Sequence, residues 1–396
     1  MESKLSESAP LLPLAACLMV GIIVGHRVVL PVSWWLMLVG AVVLTLLLYQ
    51  MPRLQSVGIT LCMVLLGATL IQRQPLAKEP PQSVVQHKPL SRFDRSKAFF
   101  LQQRAKLLQR FVDGGLGDEA YAVVAAMVLG DKSALTKELK ETYAVTGASH
   151  VLALSGLHLG IIYMLLSLLV TGRRWQMVTQ LLTIIAVWVF VFLVGMSVSV
   201  IRAAVMLSVY ALLSLGHRDK MSVNTLAFTA IVMLVFNPRS LFDIGFQMSF
   251  MAVFSILLWM PVLENIYGRE WLMEHRMFGW FWGMVSVSIS AQAGVAPLIA
   301  YYFGRFSTYF LFTNFIVVPA ATLILWLAPL VLLLPSCAYL LLYIVNALNA
   351  ALSWIAAIPG ATIDNLHPTV LQVVMVYIVI GAVWLLIRKT LPVKGW

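Results

Sequence analysis

Between Trp175 and Leu215 the chain carries no charged side chain except Arg202. That run is too long for one crossing of a hydrocarbon core, which takes roughly 20 residues per helix. Gly195-Met196-Ser197 lies near its middle. The run therefore predicts a helical hairpin that crosses a bilayer twice and turns at those residues. Helices suit lipid because they satisfy their own backbone hydrogen bonds.

The pattern repeats along the chain. Apolar stretches occur at Leu11–Val29, Ser33–Tyr49, Leu54–Ile71, Val151–Val170, Gln176–Gly195, Val198–Leu215, Val223–Phe236, Gly245–Pro261, Trp280–Phe303, Thr308–Leu334, Ala338–Ile358 and Thr369–Ile387. This predicts an all-α, polytopic integral membrane helix bundle of about twelve spans with a short helical extramembrane insert. Composition agrees: 61% of residues are hydrophobic, 11% are charged, and mean hydropathy is +0.92. A soluble domain carries about 25% charged residues. The Met1 end is polar and no small-residue cleavage site follows, so the first stretch is expected to be a retained span. Three parts are expected: N-terminal spans over 1–71, a basic linker and amphipathic helix over 72–117, and a larger membrane domain over 118–396.

The insert opens with Pro75, Pro80, Pro81 and Pro89, which favour extended chain. From Arg92 to Val112, Phe93, Phe100, Leu101, Leu107, Leu108 and Phe111 share one helical side, while Arg92, Arg95, Lys97, Arg104, Lys106 and Arg110 cover much of the rest. That pattern fits a helix lying in the membrane interface, and equally a surface helix packed on the bundle. Asp113-Gly114-Gly115 ends it. Two further helices are predicted, from Asp118 to a stop at Gly130, and from an N-cap at Thr136 to Gly147.

The formal charge of +11 has two readings: the positive-inside bias of membrane proteins, or attraction to a polyanion such as nucleic acid or anionic lipid. The hairpin puts Arg173-Arg174, His217–Lys220 and Arg388-Lys389 on one side, expected to be cytoplasmic. Cys17, Cys62 and Cys337 lie in or beside apolar runs and read as small buried hydrophobes, not as a disulfide framework or a zinc site.

Polar groups inside the spans need a reason, because an arginine at a helix centre costs about 2.5–3.5 kcal/mol on insertion scales. Arg202 reads either as a structural residue, capping carbonyls or pairing with Asp243, or as a fixed charge lining a wet path. In Thr146–Gly160, Gly156 and Gly160 form a small-xxx-small pair for close helix packing. Ser155 and His158, three apart, share a helical face. A serine–histidine hydrolase also needs a carboxylate and an oxyanion hole, and this span contains no carboxylate. Asp243 and Gln247 enter another span, and Gln292 and Asn314 add intramembrane amides, with a kink expected at Pro319. The chain has no phosphate loop ending in Lys-Ser/Thr and no closely spaced histidine pair, so neither an ATPase, a metal site nor a cofactor is expected.

Leu129-Gly-Asp131, Tyr143 through His150 into Ala153-Leu-Ser-Gly-Leu-His-Leu-Gly160, Ser199-Val-Ile-Arg202-Ala, Asn237-Pro through Asp243 to Phe250, and Gln292-Ala-Gly-Val-Ala-Pro297 through Phe303-Gly to Asn314 and Pro319 resemble the ComEC competence-protein family in content and order. The resemblance implies a channel for single-stranded DNA in the bacterial inner membrane. By position it carries over His150, Ser155, Gly156, His158, Arg202, Asp243 and Gln247 as motif residues without individual roles. Many members also carry a β-lactamase-like hydrolase domain and an OB-type domain. Neither is read in this chain, so no enzyme activity is expected.

The leading expectation is a DNA-conducting channel subunit. His150, Ser155, His158, Arg202, Asp243, Gln247, Gln292 and Asn314 are path candidates, and the cations of Arg92–Arg110 collect the strand. Expected partners are single-stranded DNA, the lipid bilayer, a separate nuclease, a DNA receptor and a cytoplasmic helicase-type motor, with a homo-oligomer as a further option. Two alternatives stand: a small-solute or lipid transporter on the same scaffold, and a membrane-embedded serine hydrolase.

Overall fold

The computed structural model describes residues 9–28, 34–73, 92–169, 176–215 and 222–390. The proline-rich linker and the basic loops at Arg173-Arg174 and His217–Lys220 lie outside the described residues. Six helices of 18 residues or more are apolar enough to span a membrane, and six shorter apolar helices accompany them among the described residues. The chain is an all-α, multi-pass membrane protein.

It divides into two compact units. The first contains α1 (Leu11–Arg27), α2 (Trp34–Leu47), α3 (Pro52–Arg73), α11 (Val223–Phe236), the 3-10 turn Pro238–Phe242 and the start of α12 (Ile244–Glu264). Gly21 and Gly25 of α1 and Gly67 of α3 face one another so closely that any side chain there would meet backbone. Small residues at such a crossing let dispersion contacts hold the pair, since lipid supplies no hydrophobic drive. Asn224 Oδ1 accepts the Leu11 amide at 3.1 Å and ties α11 to the start of α1.

The second unit holds α4 (Arg92–Asp113), α5 (Asp118–Leu129), α6 (Lys137–Val145), α7 (Ser149–Leu152), α8 (Gly156–Leu169), α9 (Gln176–Leu193), α10 (Val198–Leu215), the rest of α12, α13 (Arg269–Glu274), α14 (Arg276–Phe303), α15 (Phe310–Leu333), α16 (Ala338–Ala356) and α17 (Val370–Thr390). Its main core gathers α5, apolar on nearly every side, against α15 and α16, with Phe111 and Tyr143 filling the ends. A helix buried all round reads this way in sequence. A second cluster joins Leu159 of α8, Val187 and Val191 of α9, and Ala203 and Ala204 of α10. Outside the apolar layer, β1 (Phe306–Ser307) pairs antiparallel with β2 (Thr362–Ile363). Arg305, next to this strand pair, meets Glu141 at 2.9 Å and Asp364 at 3.6 Å. At the end of α6, the Tyr143 hydroxyl donates to Asn349 Oδ1 at 2.9 Å. Burial, together with the nearby Glu119 carboxylate, pushes that phenol above its usual range and keeps it a donor.

Most expected elements form, with informative differences. The hairpin turns at Gly195-Met196, both left-handed with φ of 84° and 58°. Thr136 caps α6 by accepting the Leu139 amide at 3.1 Å. The span expected from Val151 is broken: α7 stops at Leu152, and α8 begins only at Gly156. Gly160 has open space where a close helix partner was expected. Residues between α12 and α14, outside the expected spans, hold the short α13.

Candidate functional site

Sequence-remote blocks of the second unit converge where α8 begins. Gly130 ends α5 in a left-handed conformation (φ 72°), and a methyl group there would lie 2.5 Å from Leu154 Cδ1. Gly195 closes the α9–α10 turn, where a methyl group would stand 3.4 Å from the Leu101 side chain and 3.5 Å from an Arg104 guanidinium nitrogen. Gly156 faces Ala203, next to Arg202, on α10. Thus the turn at Asp131, the break before α8, the hairpin turn and α4 share one neighbourhood. L side chains rarely adopt the backbone conformation of these two turns, and at Gly130 the space for a side chain is already taken by Leu154.

Ser155 is the N-cap of α8: its carbonyl accepts the Leu159 amide at 3.3 Å. His158 stands at the third helical position. Its Nδ1 lies 3.4 Å from the Ser155 amide and 3.1 Å from Ser155 Oγ. A side chain reaching back to the N-cap amide is half of a capping box, where glutamate or glutamine is usual. An imidazole does the work without burying a carboxylate, and His158 is 0% exposed. Its Nε2 is sealed from solvent, with the Val151 backbone as its neighbour. A catalytic triad instead has Nε2 on the serine and Nδ1–H on an orienting acid. Ser155 and His158 are therefore brought together as expected, but as a helix start, with the ring presenting the other nitrogen.

Arg202 is 4% exposed on α10, within the α8–α10 core. His158 and Arg202 accordingly lie buried on helices that touch at Gly156 and Ala203. His150 is exposed on α7, and its Nδ1 lies 3.0 Å from the Gly147 carbonyl. Gln292 is half-buried on α14, and Asn314 Nδ2 donates to Ser288 Oγ at 3.2 Å. Asp243 and Gln247 belong to the first unit. There Asp243 Oδ1 accepts the Phe246 amide at 2.8 Å, and Gln247 Nε2 donates to the Leu241 carbonyl at 2.9 Å. Both shape the entry to α12.

The α4 cations divide. Arg92, Arg95, Lys106 and Arg110 are exposed, and Lys97 is half-buried. Arg104 is different: its side chain is 16% exposed and its Nη2 lies 3.6 Å from Asp131 Oδ2. Burial opposes ionisation of Asp131, yet the Ser133 hydroxyl and amide and the Arg104 charge together hold the carboxyl below its usual range. The geometry thus makes Arg104 a link between α4 and the α5 turn, in place of the surface role its spacing suggested. The helix packs on the bundle along its apolar side. Phe100 packs against Phe192 of α9 with tilted rings 5.5 Å apart and Phe111 is buried, while Phe93 and Phe99 stay exposed beside the cations.

Sequence reasoning missed a group of hydroxyls. Ser286, Ser288 and Ser290 of α14 and Thr313 of α15 are all buried. Valine or isoleucine separates the serines, which resembles strand alternation and hides a helical stripe of Ser286, Ser290 and Gly294. No group of three or more His, Cys, Asp or Glu side chains suited to a metal occurs among the described residues.

Comparison with known proteins finds the family described as Competence protein over residues 127–390. ComE operon protein 3 of Bacillus subtilis (strain 168) is 31% identical over 217 residues, which are 54% of this chain and 26% of that protein. An uncharacterized protein of Aquifex aeolicus (strain VF5) is 32% identical over 196 residues, 49% of this chain and 43% of that one. The matches therefore span less than half the length of these relatives. No solved structure matches. The family match covers most of the chain, including every glycine turn and polar residue of the α8 neighbourhood except those contributed by α4, and on that extent the protein belongs to the competence-protein family.

Proposed function

We propose that this protein acts in DNA uptake during natural transformation, as a subunit of the conduit that passes single-stranded DNA across the bacterial inner membrane. The observation that carries the reading is the convergence of remote family blocks around one buried polar neighbourhood, the His158 imidazole and the cation Arg202, inside a multi-pass unit. A strand brings one phosphate charge per nucleotide, and a path through lipid must replace its water with cations, amides and hydroxyls. Arg202 supplies charge at depth, and Arg92, Arg95, Lys106 and Arg110 form the cationic face of α4 outside. The conformation is closed, since His158 and Arg202 are 0% and 4% exposed. The conduit performs no hydrolysis in this reading. A separate nuclease, a DNA receptor and a helicase-type motor act with it, and self-association is one way to complete the pore.

The test is Arg202→Ala in a transformable strain lacking its own copy, scored with labelled DNA for cytoplasmic entry and for build-up outside. Entry should fall at least ten-fold, with normal protein in the membrane. Full entry in that variant refutes a phosphate contact at Arg202. A solute accumulated by vesicles without any DNA dependence would instead favour a transporter.

A further inference from the structure

Prolines inside membrane helices leave backbone carbonyls short of donors. Pro261 lies within α12 and Pro297 within α14. Each removes the amide that would serve the carbonyl four residues back, and its ring forces that turn open. The carbonyls three residues back, Leu258 and Gly294, are both served from outside. Trp384 Nε1 donates to Leu258 at 2.8 Å, and the Tyr377 hydroxyl donates to Gly294 at 2.7 Å. Both donors belong to α17, seven residues apart and so on one face. Only 11% of the apolar window of α17 is buried. The helix is thus held to its neighbours by two aromatic donors set on two proline turns, not by a broad packed face.

Those turns flank a tight contact. A side chain at Gly294 would collide with the Met251 carbonyl and stand 2.6 Å from Ser255 Cβ, so α14 meets α12 there backbone to backbone. Ser290 and Ser286 continue the Gly294 stripe, one and two turns earlier. Both are 0% exposed, and neither hydroxyl has a hydrogen-bond partner. Ser255 opposite is 5% exposed. Serines in helices ordinarily bond the carbonyl four residues back. Hydroxyls sealed without a partner are unfavourable in this closed form, and the opening of the seam relieves them.

We propose that the α12–α14 seam at Ser255, Ser286 and Ser290 is a hydroxyl-lined passage for a phosphodiester strand, shut in this conformation, and that α17 is its clasp through Tyr377 and Trp384. Hydroxyls suit a conducting path because they donate to phosphate oxygens without the tight hold of a cation, so that bound groups also leave. The two proline turns are where α12 and α14 bend when the clasp releases. The strand as occupant rests on the function proposed above; the clasp does not.

The experiment uses the full chain in membrane vesicles, with Cys17, Cys62 and Cys337 replaced by alanine and Ser290→Cys as reporter. Labelling by a membrane-impermeant maleimide is timed with Tyr377 and Trp384 intact, and again with Tyr377→Phe and Trp384→Phe. Phenylalanine at Tyr377 keeps the ring and removes only the donor, and at Trp384 it removes the indole N–H while keeping an aromatic side chain. Loss of both hydrogen bonds should raise the labelling rate about ten-fold, the shift that two ordinary interhelical bonds hold back. An unchanged rate overturns the clasp. In cells, maleimide bound at Ser290→Cys should block DNA entry, while the unlabelled variant transforms. Full transformation after complete labelling overturns the seam as the path, yet leaves the uptake function standing. A strain lacking this protein that transforms normally sinks the uptake function itself, and the labelling result still decides the clasp.

Discussion

Replacing Ser155 with alanine separates a helix cap from a nucleophile by magnitude alone. The hydroxyl makes one contact, 3.1 Å to His158 Nδ1, and the Ser155 amide, 3.4 Å from the same nitrogen, survives the substitution. The loss is then one neutral hydrogen bond at a helix start, about 1 kcal/mol. That lowers the ratio of folded to unfolded chain about five-fold. A protein with ordinary stability stays almost wholly folded after such a change. Transformation by Ser155→Ala should therefore remain within about ten-fold of the parent, and the purified protein in detergent should melt only slightly earlier. Loss of a catalytic serine, by contrast, removes on the order of 10⁶ in kcat. The assay pairs transformation frequency with membrane protein level and a melting curve. A thousand-fold collapse of transformation with unchanged level and melting, restored by Ser155→Cys, would refute the capping account and revive the hydrolase.

Two further outcomes follow from the same neighbourhood. Gly130→Ala should destabilise the protein by about 2–4 kcal/mol, adding the left-handed backbone penalty to overpacking against Leu154; a melting curve superimposable on the parent's would contradict the contact. Asp131 is held below its ordinary value, so its contribution is present above the ordinary carboxyl range near 3.8 and fades as acid carries the pH down through the lowered folded value. Asp131→Asn should accordingly flatten the acid limb of a stability–pH curve, and an acid limb as steep as the parent's would deny Asp131 that role.

Several elements are legible in the sequence because their signals are local. The uncharged run from Trp175 to Leu215 becomes α9 and α10 with a turn at Gly195-Met196, since a hydrocarbon core leaves no other way to place it. Thr136 and Gly130 mark helix ends through their own backbone and side-chain chemistry. The basic spacing of α4 foretold an amphipathic helix, with Phe100 inward and Arg92 outward.

What the linear order left undecided depends on partners far away in the chain. Arg104 differs from Arg110 only by facing Asp131, which no periodicity within α4 reveals. The break at Ala153–Ser155 turned a shared helical face into a cap, because the chain interrupts its helix beside Gly130 and Gly195. Ser286 and Ser290 carry no signal in the sequence, and their burial appears only once the helices pack, with Met251 and Ser255 of α12 against Gly294 on the same stripe. The sequence by itself determined that this protein lives in lipid and where most of its apolar helices run, because solvation and backbone chemistry act over a few residues. Only the tertiary structure decided which charges are latched, which nitrogen of His158 meets the serine, and which carbonyls at the prolines are served, because each of those is a contact between segments the sequence keeps apart.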